Sequence, residues 1–545
     1  MARKVRRHAV IALVALCGAA LPFAGAAHAS PSSLIAGATS TSIASDSQTG
    51  VNAIVRNVDG TIYDGAPLQV TFSSNCASAG LARLGSSAET IHGIASVTYQ
   101  PSGCAGLDQV TATVAGSPGL VSAVSIYVTS QKSLSTRGLV GRSIFFDTSL
   151  SASGTMSCAS CHAPANNYHA PTTTQTPLGG ASAQAVGFRA APTASYMAFM
   201  PPFRWLKPGT RGTVGRLGTP HAGLMWDGRA PTLADQARGP FTEPHEMANA
   251  NNRSVMNKML ARPYLAAFVN AYGRISPSSN PDVIVARMAD AVAIFEREDL
   301  SFRPFTSKYD RAQAGQASLT PQEQNGQALF FDPTRGGCAG CHSSVGAKQA
   351  ASVPQFFSDQ SYRAIGVPRN WNLPYNRDSL ALQALSDLGR SWLANGAAAG
   401  APHAYYDLGV CGPFRRDSVL DPGLCGMFRV PILRNVALKH SYEHNGVFGT
   451  LFEVVNFYNN REANPSQIYL TQSGAADAKY NDLPVQFQGN IEQRAPFRPL
   501  PTGQPRLSQQ DVRDIVAFMC TLTDGYDVNR PEAYNMPAQC RAVQR

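Results

Sequence analysis

Two five-residue runs carry the most distinctive chemistry in this chain: Cys158-Ala159-Ser160-Cys161-His162 and Cys338-Ala339-Gly340-Cys341-His342. In each, the two thiols can carry the vinyl groups of a porphyrin, and the adjacent imidazole can ligate the iron from the proximal side. A zinc site would require a fourth ligand at short range and usually a second Cys/His pair, which neither run has. Two covalently bound haem c groups are expected, attached through Cys158, Cys161, Cys338 and Cys341, with His162 and His342 as metal ligands.

The context suits such groups. Arg3, Lys4, Arg6 and Arg7 precede an apolar run from Ala9 to Ala27 and an Ala27-His28-Ala29 cleavage site, so residues 1–29 read as a secretory signal peptide. Cys17 follows Leu16 where a lipoprotein signal prefers a small residue, which disfavours a lipid anchor. No other stretch is long and apolar enough to span a bilayer, and the expected location is the periplasm. A chain of 545 residues with 44% hydrophobic content exceeds one core, and three domains are expected. The formal charge of +10 falls to +6 without the four basic residues of the signal. The remaining basic residues are scattered and form no stripe with aromatics, so nucleic acid is not an expected partner. Of eleven cysteines, six remain beyond Cys17 and the haem thiols. An even remainder in an oxidising compartment suggests three disulfides, paired by proximity as Cys76–Cys104, Cys411–Cys425 and Cys520–Cys540.

The elements that must position this chemistry fall into a β-rich part and a helical part. From 31 to 130, alternating runs such as Leu68-Gln69-Val70-Thr71-Phe72 and Ile94-Ala95-Ser96-Val97-Thr98-Tyr99 are separated by turn signals at Asp59-Gly60 and Asp64-Gly65. They predict an all-β sandwich, and the strands leading to Cys76 and Cys104 resemble bacterial immunoglobulin-like (Ig-like) domains of surface proteins. Nothing in this part suggests catalysis, so a spacer or docking role is expected. Beyond it, Gly141-Arg142-Ser143-Ile144-Phe145-Phe146-Asp147 and Gly326-Gln327-Ala328-Leu329-Phe330-Phe331-Asp332 precede the two haem runs as an internal duplication. Two mainly α-helical cytochrome c-type domains follow, 131–315 and 316–545, each with one haem. The second copy opens as a capped helix with Thr320 at the N-cap, Pro321 at N1 and Glu323 at N3. The polar stretch from Ser307 to Ser318 reads as the boundary. A last helix is expected from Ser508, with Asp511 in its cap and Val512, Ile515, Val516 and Met519 on one face. A Pro/Gly-rich loop is expected between Asp378 and Gly426.

Between the haem runs stand Trp226-Asp227-Gly228-Arg229, Leu233-Ala234-Asp235-Gln236-Ala237, Gly239-Pro240 and Glu246-Met247. In the second half come Phe428-Arg429-Val430-Pro431, Leu433-Arg434-Asn435-Val436 and His444-Asn445-Gly446. With both haem runs, these segments make the chain from about Gly138 to Gly525 resemble the bacterial dihaem cytochrome c peroxidase and MauG family. The resemblance implies that Trp226 lies between the haems and that Gln236 and Glu246, ten and twenty residues further on, line the distal pocket of the first. The chemistry suits those types. Peroxide heterolysis needs a base that moves a proton from the inner to the departing oxygen, a task for a partly buried carboxylate such as Glu246. Gln236 can hold the bound oxygens without competing for that proton, and the Trp226 indole offers an oxidisable relay.

Peroxidases of the family close the first haem with a histidine sixteen residues after the proximal one, a position held here by Leu178. His169 reads as a loop residue, so the first haem is expected to be open or water-bound when ferric. The family's peroxidases ligate the second haem with a methionine fourteen residues beyond the histidine of His444-Asn445-Gly446, where this chain has Tyr458, as MauG has tyrosine. Tyr458 is the expected ligand, with Met427 or Met519 as alternatives. The family also binds calcium between its domains. The matching stretches here are Arg189-Ala190-Ala191-Pro192 and Lys439-His440-Ser441, which lack the side-chain oxygen. Carbonyls could still hold an ion, or the Lys439 ammonium could take over the charge.

The expected function is that of a periplasmic dihaem c-type peroxidase. Hydrogen peroxide is reduced at the first haem with Glu246, Gln236 and Trp226 as catalytic residues, and a small cytochrome or cupredoxin donates electrons through the second. The alternatives are a MauG-like enzyme that oxidises side chains of a partner protein, a non-enzymatic dihaem electron carrier, and a haem oxygenase acting on a polymer.

Overall fold

The structure is a computed structural model that describes residues 30–543 apart from 40, 46–47, 103, 105, 130–133, 172–173, 208–216, 344–354, 378–405, 416 and 419–420. The expected signal peptide and most of the expected 378–426 loop lie outside the described residues. The chain divides into two compact units, 1–133 and 134–545. Among the described residues no helix is long and apolar enough to cross a membrane.

The first unit is β-rich. Strands β1 (Pro31–Ala38), β2 (Ser42–Ala44), β3 (Thr49–Asn57), β4 (Gln69–Ser73), β5 (Ala82–Leu84), β6 (Ser87–Glu89), β7 (Ile94–Pro101), β8 (Gly106–Val114) and β9 (Val121–Thr129) form two sheets, ordered β1-β3-β7-β5 and β2-β9-β8-β4-β6. The period-two pattern of their sequences dictates the faces. Val51, Ala53 and Val55 of β3 share one core with Val70 and Phe72 of β4 and Val110, Ala112 and Val114 of β8. The Cys76–Cys104 disulfide ties this core, and the buried Tyr99 hydroxyl donates to Asp108 Oδ2 at 2.7 Å.

The second unit repeats one helix crossing. Helix α1 (Thr136–Phe146) packs on α2 (Pro281–Glu298), and α3 (Pro321–Phe331) packs on α4 (Gln509–Cys520). Both crossings rest on the duplicated glycine. A Cβ on Gly141 would run into the Ala291 carbonyl, and one on Gly326 into the Asp514 carbonyl, so only glycine lets the backbones approach this closely. Two cores follow. Val140, Ile144 and Phe145 pack with Val285, Met288, Val292 and Phe295, and Leu329 and Phe330 with Val512, Ile515, Val516 and Phe518. The expected capping boxes stand at Thr320/Glu323 and Ser508/Asp511.

One expectation changes, and one stretch holds an element that the sequence did not announce. The polar stretch from Ser307 carries a helix, Lys308–Gln313, with its own Ser307/Asp310 capping box. The fully buried Arg434 reaches Asp310 at 2.6 Å, a long-range tie that no local apolar period announces. The helix beginning after Ser508 is also not the last. Ala538–Val543 follows and is tied back by Cys520–Cys540. Cys411–Cys425 is the third bridge, so all three pairs expected from proximity are present.

Candidate active site

Each Cys-x-x-Cys-His run forms a single tight turn, Cys158–Cys161 and Cys338–Gly340, at the edge of a deep cavity. These four thiols are the free cysteines of the described chain. His162 Nδ1 lies 3.4 Å from the Tyr168 carbonyl and His342 Nδ1 lies 3.0 Å from that of Phe357. A carbonyl can accept only from a protonated nitrogen, so this arrangement leaves Nε2 with its lone pair for a metal. Burial lowers the pKa of both rings, which keeps them neutral and able to ligate.

The cavity walls also fit an anionic porphyrin. Arg429 is fully buried and borders both cavities. Among the described residues no carboxylate pairs with it; its guanidinium meets the Met225 carbonyl at 3.3 Å and Gln360 Oε1 at 3.5 Å. A buried cation without a counter-ion costs several kcal/mol, on the order of the penalty a carboxylate partner offsets. Haem propionates supply such carboxylates.

The first cavity brings together Cys158, Cys161, His162, Trp226, Gln236 and Glu246. Gln236 comes from a short helix, Leu233–Arg238, started by a Thr232/Asp235 capping box. Glu246 sits on the turn that follows, where its N–H donates to the Glu243 carbonyl at 2.9 Å and its carbonyl accepts from Gly180 at 2.8 Å. Although its side chain faces the open cavity, protein surrounds it deeply. Burial, and then the Glu243 charge, push its pKa up to about 7 against the pull of Arg229 and His245.

Trp226 borders both cavities, its indole N–H donating to the Ala190 carbonyl at 2.7 Å. Its orientation is set by the next residue. Buried Asp227 accepts from Arg189 at 2.8 Å and from Arg229 at 2.9 and 3.0 Å, and Arg189 also holds Asp407 at 2.5 Å. Burial alone would raise the Asp227 pKa, but the two guanidiniums dominate and hold it at about 2. On the second-cavity side, the Trp226 carbonyl accepts from the Arg429 N–H at 2.8 Å.

The second cavity contains Cys338, Cys341, His342 and Tyr458, the last on the helix Leu451–Asn460. The Tyr458 hydroxyl donates to Glu443 Oε1 at 3.1 Å. Met519, one of the two alternative ligands, lies on the same wall, whereas Met427 lines neither cavity. Lys439 lines the wall shared with Trp226, its ammonium 5.8 Å from the indole centroid, and desolvation by the surrounding protein lowers its pKa to about 8. His169 borders the second cavity, not the first, and neither ring nitrogen has a hydrogen-bond partner among the described residues. Leu178 lies in a two-residue strand packed on the backbone of His245 and Glu246, outside the cavity lining.

Sequence reasoning missed four cavity residues: Glu243, His245, Glu296 and Glu443. Glu296 is buried against Cys158, with its pKa raised to about 8 by burial. The duplication could have found it. Register counted from the Gly141–Ala291 and Gly326–Asp514 approaches places Glu296 where the second half has Met519. Glu443 stands beside a matched segment but carries no signal of its own.

The comparisons with known proteins agree with this architecture. Residues 136–318 match a family model described as di-haem cytochrome c peroxidase. The methylamine utilization protein MauG of Paracoccus denitrificans is 32% identical over 404 residues, 71% of this chain and 88% of that protein. The chain belongs to the di-haem cytochrome c peroxidase and MauG family. A cytochrome-c peroxidase of Denitromonas iodatirespirans is 28% identical, covering 70% of this chain and 80% of its own length. The crystal structure of the diheme peroxidase BthA from Burkholderia thailandensis superimposes with a TM-score of 0.59 at 33% identity, over 72% of this chain and 86% of that one. Membership supports an oxidoreductase activity, with both MauG and peroxidase names among the relatives, and implies two haems.

Proposed function

We propose that the protein reduces hydrogen peroxide to water in the first cavity and draws the reducing electrons through the second. The observation that carries this reading is an asymmetry. An acid and an amide face the cavity of His162, whereas in the cavity of His342 the acid, Glu443, is bonded to a tyrosine that can fill the ligand position. A haem bound in the first cavity supplies a coordination seat for peroxide and the redox capacity of its iron.

The side chains do the rest. With a pKa of about 7, Glu246 is present as both acid and base near neutral pH. It takes the proton of the inner peroxide oxygen and gives it to the departing one. The Gln236 amide orients the oxygens without exchanging that proton. Trp226, fixed by its bond to Ala190, relays electrons between the cavities. Tyr458 would hold the second haem's iron as a hard donor, and Glu443 is placed to accept the phenolic proton. The Lys439 ammonium stands in for an interdomain calcium ion. We further assign 31–130 to an Ig-like docking or spacer module, 131–315 and 316–545 to the two cytochrome c domains, and the mature protein to the periplasm. A small cytochrome or cupredoxin is the expected electron donor.

Tyr458 favours a second reading, a MauG-like oxidation of side chains on a partner protein. Optical and magnetic spectra of the ferric protein, before and after one equivalent of peroxide, test the proposal. A rapid change at a five-coordinate or water-bound first haem supports it, and two saturated, unreactive haems overturn it. Oxidised side chains on a co-purifying protein would select the second reading.

A further inference from the structure

Peroxide reduction consumes protons as well as electrons: one H2O2, two electrons and two protons yield two waters. In O–O cleavage Glu246 only relocates a proton that peroxide already carries. The two additional protons are needed when the external donor's electrons reset the enzyme, and they must come from solvent into a cavity whose acid is deeply enclosed.

The cavity wall offers few routes. Gln236 has no exchangeable acid, the Trp226 N–H is committed to Ala190, and Arg229 is held by Asp227. Glu296 lies on the Cys158 side of the cavity, buried by helix α2. Glu243 and His245 differ, because their side chains line the cavity and stay part-exposed, at 41% and 22%. His245 Nδ1 lies 3.4 Å from Glu243 Oε1, and the imidazole edge packs on Phe188 with the rings 4.5 Å apart. The turn carrying them is pinned, with the Glu246 and Ala248 amides both donating to the Glu243 carbonyl, at 2.9 and 3.1 Å. Both groups act electrostatically on Glu246, Glu243 raising its pKa and His245 lowering it. An imidazole can accept a proton at one nitrogen and release one from the other.

We infer that Glu243 and His245 form the proton entry from solvent to Glu246. The inference rests on the peroxidase reading. Glu243 collects a proton at the surface, His245 passes it inward, and Glu246 delivers it to the oxygen being reduced. The two residues are positioning and relay groups.

Stopped-flow measurements on the ferric holoprotein, with peroxide, a reduced one-electron donor and a pH-indicator dye in weak buffer, test this directly. In Glu243→Gln and His245→Ala, proton uptake during the reductive reset should slow at least tenfold more than the initial reaction with peroxide. Added imidazole should restore uptake in His245→Ala. Equal slowing of both phases without imidazole rescue indicates a structural role and overturns the inference. So does uptake at the native rate, and so does a change of the ferric first haem from low to high spin in His245→Ala, which would make His245 an iron ligand. A native protein inert to peroxide overturns the peroxidase reading itself, whereas a reactive native protein with unaffected variants overturns only the proton entry.

Discussion

Replacing Glu246 with Gln preserves its size and hydrogen-bonding reach but removes the carboxylate assigned to moving a proton across the O–O bond. General acid–base groups of this kind contribute about 10²–10⁴ in rate, and a loss in that range is expected for the reaction of the ferric protein with peroxide. The pH dependence gives an independent handle on the same residue. Only the carboxylate can accept the first proton, and with a pKa of about 7 roughly half the molecules are competent at neutrality. Two pH units lower, about one in a hundred is ionised, so the second-order rate constant should rise about fiftyfold from pH 5 to 7 and level off above 8. The source of the shift predicts a further effect. After burial, the Glu243 charge is the main cause that raises the Glu246 pKa, so Glu243→Gln should move the midpoint to lower pH. Stopped-flow absorbance across pH 5–9 measures all three. A flat profile, or a Glu246→Gln rate within threefold of the native protein, would refute the assignment of Glu246 as the base.

Three further outcomes are expected. Tyr458→Phe should alter the absorption and magnetic spectra of the second haem while sparing the first, and an unchanged second haem counts against ligation. Because the variant also deprives Glu443 of its hydrogen-bond partner, it should lose about 1–3 kcal/mol of stability, read from its urea midpoint. Metal analysis after chelation should find no stoichiometric calcium, and the Lys439→Met protein should lower the second haem's affinity for electrons or gain a calcium requirement; firmly retained calcium in the native protein rules the Lys439 substitution out. Gly326→Ala forces a methyl group against the Asp514 carbonyl and should cost at least about 1–3 kcal/mol, whereas Gly489→Ala, with open space around it, should leave the thermal midpoint nearly unchanged.

Chemistry that depends on neighbours along the chain is written in the order of the residues. The haem runs are contiguous, so thiols and imidazole reach one porphyrin whatever surrounds them. Strand alternation in 31–130, the Thr320 and Ser508 caps and the three short-range disulfides are likewise local, each set by side chains within a few residues or a short loop. Family resemblance extended this to Trp226, Gln236 and Glu246, which the fold does gather around the first cavity. Local reading failed where environment decides. The same resemblance could not reveal that Lys439 packs beside Trp226 across more than two hundred residues of chain, that Arg434 reaches back to a helix at Asp310, or that Arg429 stands between two cavities with no carboxylate partner among the described residues. Glu243, His245, Glu296 and Glu443 are unremarkable letters in sequence. Their chemistry comes from desolvation and from the charges that folding brings near them, and both depend on contacts between distant segments, which only the folded chain creates.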